Sequence, residues 1–184
     1  MNRYSFFHEI KTSLFGGAFK QIQVDGLTHI LDTWQTDFKT LPLTDLAYCL
    51  ATVYHETAKT MQPIEEYGKG SKRKYGIPDR VTKKVYYGRG FVQLTWKRNY
   101  ELASKKLSVD LVNKPELALD LSIASKIMFM GMRDGWFTGK ALKDYCHLNP
   151  PDYYNARRII NGTDKAGLIS NYATIFLNAL KKSI

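Results

Sequence analysis

Apolar residues recur every third or fourth position along much of this chain, and that spacing predicts helices. In the segment 21–38, Ile22, Leu27, Ile30, Leu31, Trp34 and Phe38 fall on one face. Pro42-Leu43-Thr44 marks another start, with Thr44 as N-cap and Asp45 in the first turn, where negative charge suits the helix dipole. Leu46, Ala47, Leu50, Val53 and Tyr54 make the apolar face of this helix, which is expected to end near Lys59, ahead of Pro63. The pattern breaks over 63–93. Gly68, Gly70, Gly76, Pro78, Gly88 and Gly90 interrupt it, and β-favouring Val81, Val85, Tyr86 and Tyr87 point to loops with a short hairpin. Helical spacing resumes from Thr95, read as an N-cap, through Leu107, and again at about 121–134, 151–160 and 165–182. The last segment carries Leu168, Ile169, Tyr172, Ile175, Phe176, Ala179 and Leu180 on one stripe, with Lys181 and Lys182 at its C-terminal end. The expected fold is mainly α, with a loop-rich insertion.

Composition narrows the class. With 184 residues, 44% hydrophobic and 13% aromatic, the chain can bury a substantial core in one domain. No apolar run approaches the ~18 residues that span a bilayer. Glu9 and Lys11 interrupt the short apolar stretch near Met1, so no signal-peptide pattern is expected and the cytoplasm is the expected site of synthesis. The two cysteines, Cys49 and Cys146, belong to no metal-spaced cluster, and Cys49 falls at helical spacing from Leu46 and Val53, as a buried thiol would. The net charge of +10 calls for an anionic partner or surface without choosing among them. Most of it comes from 69–84, where Lys69, Lys72, Arg73, Lys74, Arg80, Lys83 and Lys84 face one acid, Asp79. The plain reading is a solvated loop; the sharper one is attraction to anionic bacterial envelope polymers. No helix-turn-helix or zinc motif supports a specific nucleic-acid partner. A non-catalytic cationic wall-binding or membrane-disrupting protein fits the charge, although the 165–182 stripe reads more simply as a core face.

Chemistry gathers at the borders of the loop-rich insertion. Glu56 closes the apolar helical run as Tyr54-His55-Glu56-Thr57. Glycosidic hydrolysis needs a protonated carboxyl near the leaving oxygen and a second group that activates water. Partial burial at the end of an apolar helix would favour a protonated Glu56. Glu65 and Glu66 follow in the loop region, where the chain can fold back to face Glu56, although a surface ion-pair patch is the plainer reading of both. Further on, Tyr86, Tyr87 and Trp96 offer faces for sugar rings, Gln93 offers an amide that both donates and accepts, and Thr95 offers a hydroxyl to orient water. Gly88 and Gly90 would let backbone approach a ligand closely. Core aromatics in a hairpin are the plainer reading of this segment.

Three stretches in order resemble glycoside hydrolase family 19, which includes chitinases and many phage endolysins. They are His55-Glu56-Thr57; Tyr87-Gly88-Arg89-Gly90 through Gln93-Leu94-Thr95-Trp96 to Asn99-Tyr100; and Arg157-Arg158-Ile159-Ile160-Asn161-Gly162. The segment from Phe6-Phe7 to Trp34 resembles the endolysin branch. The resemblance implies a lysozyme-like α-helical body, 1–60 and 95–184, with a small loop-rich or hairpin lobe at about 61–94 flanking a substrate cleft, all in one catalytic domain 1–184. It implies inverting catalysis with Glu56 as general acid and Glu66 or Glu65 as general base. Glu66 is preferred, because Glu-Tyr-Gly after Gln-Pro-Ile is similar to the endolysin pattern. Inversion implies carboxyl groups about 6.5–9.5 Å apart. Thr95 falls where a hydroxyl holds the attacking water. Gln93, Asn99 and Asn161 match sugar-binding positions, and Tyr87 and Trp96 match the aromatic frame. Arg89 is expected to be structural. Ala58 stands where chitinases often carry a hydroxyl, and Phe91 replaces their usual proline. The implied function is that of a phage-type endolysin, cutting the bond between N-acetylmuramic acid and N-acetylglucosamine in peptidoglycan. It would act as a monomer, without metal or organic cofactor, and reach the wall from the host cytoplasm after a holin opens the membrane. A chitinase acting on poly-N-acetylglucosamine is the alternative.

Overall fold

A computed structural model describes residues 1–184. Six helices build the body: α1 (Arg3–Phe15), α2 (Gln21–Asp37), α3 (Leu43–Glu56), α4 (Lys97–Leu107), α5 (Leu121–Asp134) and α6 (Ala166–Lys181). The Asn2 side chain caps α1 by accepting from the Ser5 N–H, and Gly16 ends it in the left-handed conformation. Between residues 151 and 160, where a helix is expected, there is only the 3-10 turn Asn155–Ile159.

The central element is α3. Every residue from Asp45 to Tyr54 is buried, so this helix is enclosed on all sides rather than on one apolar stripe. It packs chiefly along α6, where Tyr54 meets Tyr172 and Phe176 edge-on. Helix α1 lies on α6 in turn, with Phe6 stacked on Phe176. One continuous apolar cluster joins all of these faces. Both cysteines lie in it as free, buried thiols, and burial raises the pKa of each.

Three boundaries differ from the expected ones. Helix α3 starts at Leu43 with Pro42 as N-cap, so Thr44 lies inside it, and it stops at Glu56. Helix α4 starts at Lys97, because Trp96 takes φ +67° and breaks the helical path after Thr95. Ile22 is exposed, because α2 buries its apolar side only from Gly26 onward.

The small lobe holds two short antiparallel strands, β1 (Ile64–Glu65) and β2 (Arg89–Gly90), paired as Ile64 with Gly90 and Glu65 with Arg89. Val81, Val85, Tyr86 and Tyr87 lie outside the strands. The lobe is pinned to the body by Asp79, which accepts from the Lys97 ammonium at 3.1 Å. Hydrogen bonds from the Thr82 backbone and from Lys97 lower the Asp79 pKa to about 2. No helix is long and apolar enough to cross a membrane.

Candidate active site

Where the lobe meets the body, a cavity of about 600 Å³ opens, and Glu56 and Glu66 both line it. Glu56 arrives as the last residue of the rigid central helix. The chain then reverses tightly: Ala58, Lys59 and Met61 all take positive φ, a costly set for residues with side chains. Gly26 makes room for this turn, since a Cβ there would lie 1.8 Å from the Met61 carbonyl oxygen. The carboxyl of Glu56 meets a polar partner rather than an apolar pocket. Arg157 Nη1 donates to Glu56 Oε1 at 2.5 Å, and its Nε donates to the Asp164 carbonyl at 3.1 Å. Arg157 is itself buried. Neighbouring His55 is half-buried, and desolvation lowers its pKa, which favours the neutral ring.

The adjacent carboxylates have separate surroundings. Glu65 closes β1 and Glu66 follows it, and of the two only Glu66 lines the cavity. Glu66 enters it. Its backbone N–H donates to the Gly88 carbonyl at 2.7 Å, and the Gly88 N–H returns a bond to Glu66 Oε2 at 3.0 Å. The Tyr75 hydroxyl donates to Glu66 Oε1 at 2.7 Å. Glu65 turns away from the cavity and into a cationic and phenolic cluster: the Tyr87 hydroxyl donates to it at 2.5 Å, and Lys69 Nζ lies 3.1 Å away. Those two hydrogen bonds hold its carboxyl below the usual carboxylate range.

The 87–100 block divides between cavity and framework. Gln93, Thr95, Trp96 and Asn99 line the cavity, as does Asn161 from the body. Gln93 holds φ +53°, and its Nε2 donates to the Ile64 and Gly90 carbonyls at 3.1 and 3.2 Å. Its amide protons are thereby engaged, which leaves the amide oxygen as an acceptor for a ligand. Asn99 Nδ2 donates to the Thr95 carbonyl at 2.9 Å. Trp96 is 42% exposed, and its ring meets the Tyr75 ring edge-on at 5.4 Å.

Tyr87 does not line the cavity. It is buried beneath Arg89, whose guanidinium lies 3.6 Å from the ring centroid, so it braces the wall and presents no face to a sugar. Tyr86 is buried as well. Arg89 has the framework position expected of it and donates to the Tyr100 hydroxyl and the Val85 carbonyl. Gly90 packs against the Ala118 carbonyl rather than toward a ligand, whereas Gly88 lines the cavity beside Glu66. Spacing gave no role to Tyr75, Arg98 or Phe137, which line the cavity together with Arg73 of the basic loop, nor to Arg157 behind Glu56. Arg157 had one signal: it opens the third matched stretch.

A mainly helical, lysozyme-like body whose cleft carries one carboxyl from the helical core and another from a small lobe is the architecture of acid–base glycoside hydrolases. The sequence profile described as chitinase class I, of glycoside hydrolase family 19, matches residues 44–155, more than half of the chain, and the chain belongs to that family. It is 37% identical over 98 residues to chitinase 11 of Oryza sativa subsp. japonica, covering 45% of this chain and 37% of that one. It is 39% identical over 121 residues to basic endochitinase B of Arabidopsis thaliana, covering 50% and 35%. The chain thus matches little more than a third of the length of these relatives. In fold it is similar to chitinase C from Streptomyces griseus HUT6037, with TM-score 0.66 at 23% identity, covering 97% of this chain and 75% of that one. It is also similar to a class IV family 19 chitinase from Zea mays, with TM-score 0.58 at 19% identity, covering 96% and 91%.

Proposed function

We propose that this chain hydrolyses β-1,4-linked N-acetylglucosamine polymers, chitin in the first instance, by inverting acid–base catalysis within one catalytic domain. The observation that carries this reading is the entry of Glu56 and Glu66 into one cavity from different lobes. The chitinase names of its relatives favour chitin. Glu56 Oε1 is taken by Arg157, so Oε2 is the oxygen that delivers a proton to the leaving group. Tyr75 and Gly88 fix the plane of the Glu66 carboxylate, and each oxygen keeps a lone pair for a water proton. Water held by Thr95 and Glu66 attacks C1 from the face opposite Glu56. Trp96 stacks on a sugar ring, the Gln93 amide oxygen accepts from an acetamido N–H or a hydroxyl, and Asn99 and Asn161 bind neighbouring groups.

A second reading, hydrolysis of the peptidoglycan backbone by a monomeric phage-type lysin that reaches the wall after holin action, is favoured by the basic loop 69–84. Within it Lys69 pairs with Glu65, and Asp79 pairs with Lys97 outside the loop. Lys72, Arg73, Lys74, Arg80, Lys83 and Lys84 have no carboxylate partner.

Mass spectrometry of borohydride-reduced fragments tests both readings. Wild type is expected to release reduced N-acetylglucosamine ends from chitin oligomers, and Glu56→Gln about 100- to 10,000-fold more slowly. Reduced muramic ends from peptidoglycan would establish the second reading. A Glu56→Gln protein with more than half the wild-type rate on either polymer would sink the assignment of the acid.

A further inference from the structure

Helix α1 carries two separate stripes. Phe6, Ile10 and Leu14 are buried against the body, whereas Tyr4, Phe7, His8 and Lys11, at i, i+3, i+4 and i+7, share a second face that reaches solvent. The chain then doubles back along that second face. Gly16 and Gly17 both take left-handed φ, +65° and +87°, and the Gly17 N–H donates to the Lys11 carbonyl at 3.0 Å. This return sets the Phe19 ring edge-on to Phe7 at 5.4 Å. The result is a second cavity, of about 440 Å³, lined by half-buried Phe7 and Phe19 and by exposed Tyr4, His8, Lys11 and Ala18. It shares no residue with the cavity of Glu56 and Glu66. Its mount is firm: Phe19 packs on Phe15 at 4.8 Å and Phe15 on Tyr54 at 5.2 Å, so rings in contact tie it to the helix that ends in Glu56.

The chemistry of this lining selects its ligand. Arg3, Ser5, Glu9 and Ser13 of α1 make side-chain hydrogen bonds with the chain, whereas Tyr4, His8 and Lys11 make none. Neither His8 nor Lys11 takes part in an ion pair. Tyr4 is 79% exposed, and its ring stacks on the His8 ring at 6.2 Å with 18° between the planes. Aromatic faces beside free hydroxyl, imidazole and ammonium groups match a pyranose, which has an apolar face and polar edges. A protein partner needs a patch of about 20–30 residues, whereas this cavity has six and the volume of a small-ligand site. An acyl chain makes no use of the imidazole and ammonium groups, and no carboxylate is present to hold a cation. We infer that this cavity is a second saccharide-binding site, which holds β-1,4-linked N-acetylglucosamine chains away from the catalytic cavity. This rests on the glycan-hydrolase reading above and adds a second point of attachment. Chitin presents many chains at once, so both sites engage it together and its release is slowed.

Amide NMR of the Glu56→Gln protein, titrated with an N-acetylglucosamine tetramer, reads the two sites separately. Amides of residues 4–11 and 17–20 are expected to shift along with those of the catalytic cavity. Adding Tyr4→Ala, His8→Ala and Lys11→Gln, all at exposed positions, is expected to abolish the first set and leave the second. In the otherwise wild-type protein, the same three substitutions are expected to weaken binding to insoluble chitin about tenfold while kcat/KM on the soluble tetramer stays within about twofold. Shifts confined to the catalytic cavity, or chitin binding unchanged by the triple substitution, would overturn the second site. Shifts at residues 4–11 that follow protein concentration without sugar would overturn it too, in favour of a second copy of the chain. Cleavage is scored separately with the wild type. Cleavage of chitin without sugar-dependent shifts at residues 4–11 would sink this inference alone. Those shifts without cleavage of tetramer or chitin would sink the hydrolase reading and leave the second site standing.

Discussion

The Tyr75 hydroxyl reaches Glu66 Oε1 while its ring edges onto Trp96, so one side chain ties the second carboxylate to the aromatic wall. Burial first, and then the bond to Glu66, raise the Tyr75 pKa, so the phenol is a neutral donor at physiological pH. Tyr75→Phe keeps the ring and deletes the donor. A hydrogen bond to a charged group contributes about 1.5 kcal/mol or more, so kcat on chitin oligomers is expected to fall about tenfold. KM should stay within about twofold. Loss of the Glu66 carboxylate itself, in Glu66→Gln, should cost far more. An unchanged kcat in Tyr75→Phe would remove the tyrosine from the account. This residue was not legible in the sequence, because it lies between basic residues of a loop and gains its meaning only when the loop folds back on Glu66. Arg157 was hidden similarly: its partner Glu56 is 101 positions away.

At the scale of elements, the hydrogen bonds around β1 distinguish the adjacent glutamates. Spacing left Glu65 and Glu66 as alternatives and the resemblance preferred Glu66; Glu66 lines the cavity, whereas Glu65, opposite Arg89, does not. Glu65 becomes the anchor of the lobe. Its carboxyl is held below the usual range by Tyr87 and Lys69, so the folded chain binds fewer protons than the unfolded chain just below the ordinary carboxylate pKa. The stability it contributes is therefore complete above that ordinary value and is lost as pH falls through the lowered one. Thermal melts should show Glu65→Gln less stable than wild type at pH 7, with the gap closing as pH falls below the ordinary carboxylate range. A gap of constant size would show that the charge of Glu65 does not anchor the lobe. The long elements were easier to anticipate. The apolar stripes of α5 and α6 gave their extents closely, whereas the two helix starts placed at Thr44 and Thr95 moved, one to follow Pro42 and one because of the positive φ of Trp96.

Across the whole molecule, the fold's task is to hold two carboxyls from separately built parts at one cavity. Glu56 is placed by a helix buried on every side, which a single apolar stripe understated, and Glu66 by a small lobe fastened through Asp79 to Lys97 and through Arg89 to Tyr100. The helical character and the chemical stretches were readable because periodicity and local motifs are short-range properties. The lobe's placement was not, because it depends on contacts between distant segments. The most direct test is proton NMR of the first products released from an N-acetylglucosamine hexamer, read before the anomers equilibrate. A pair of carboxyls with water between them predicts the α-anomer first with wild type, and no comparable signal with Glu56→Gln. The β-anomer first, or the same early signal from both proteins, would contradict it.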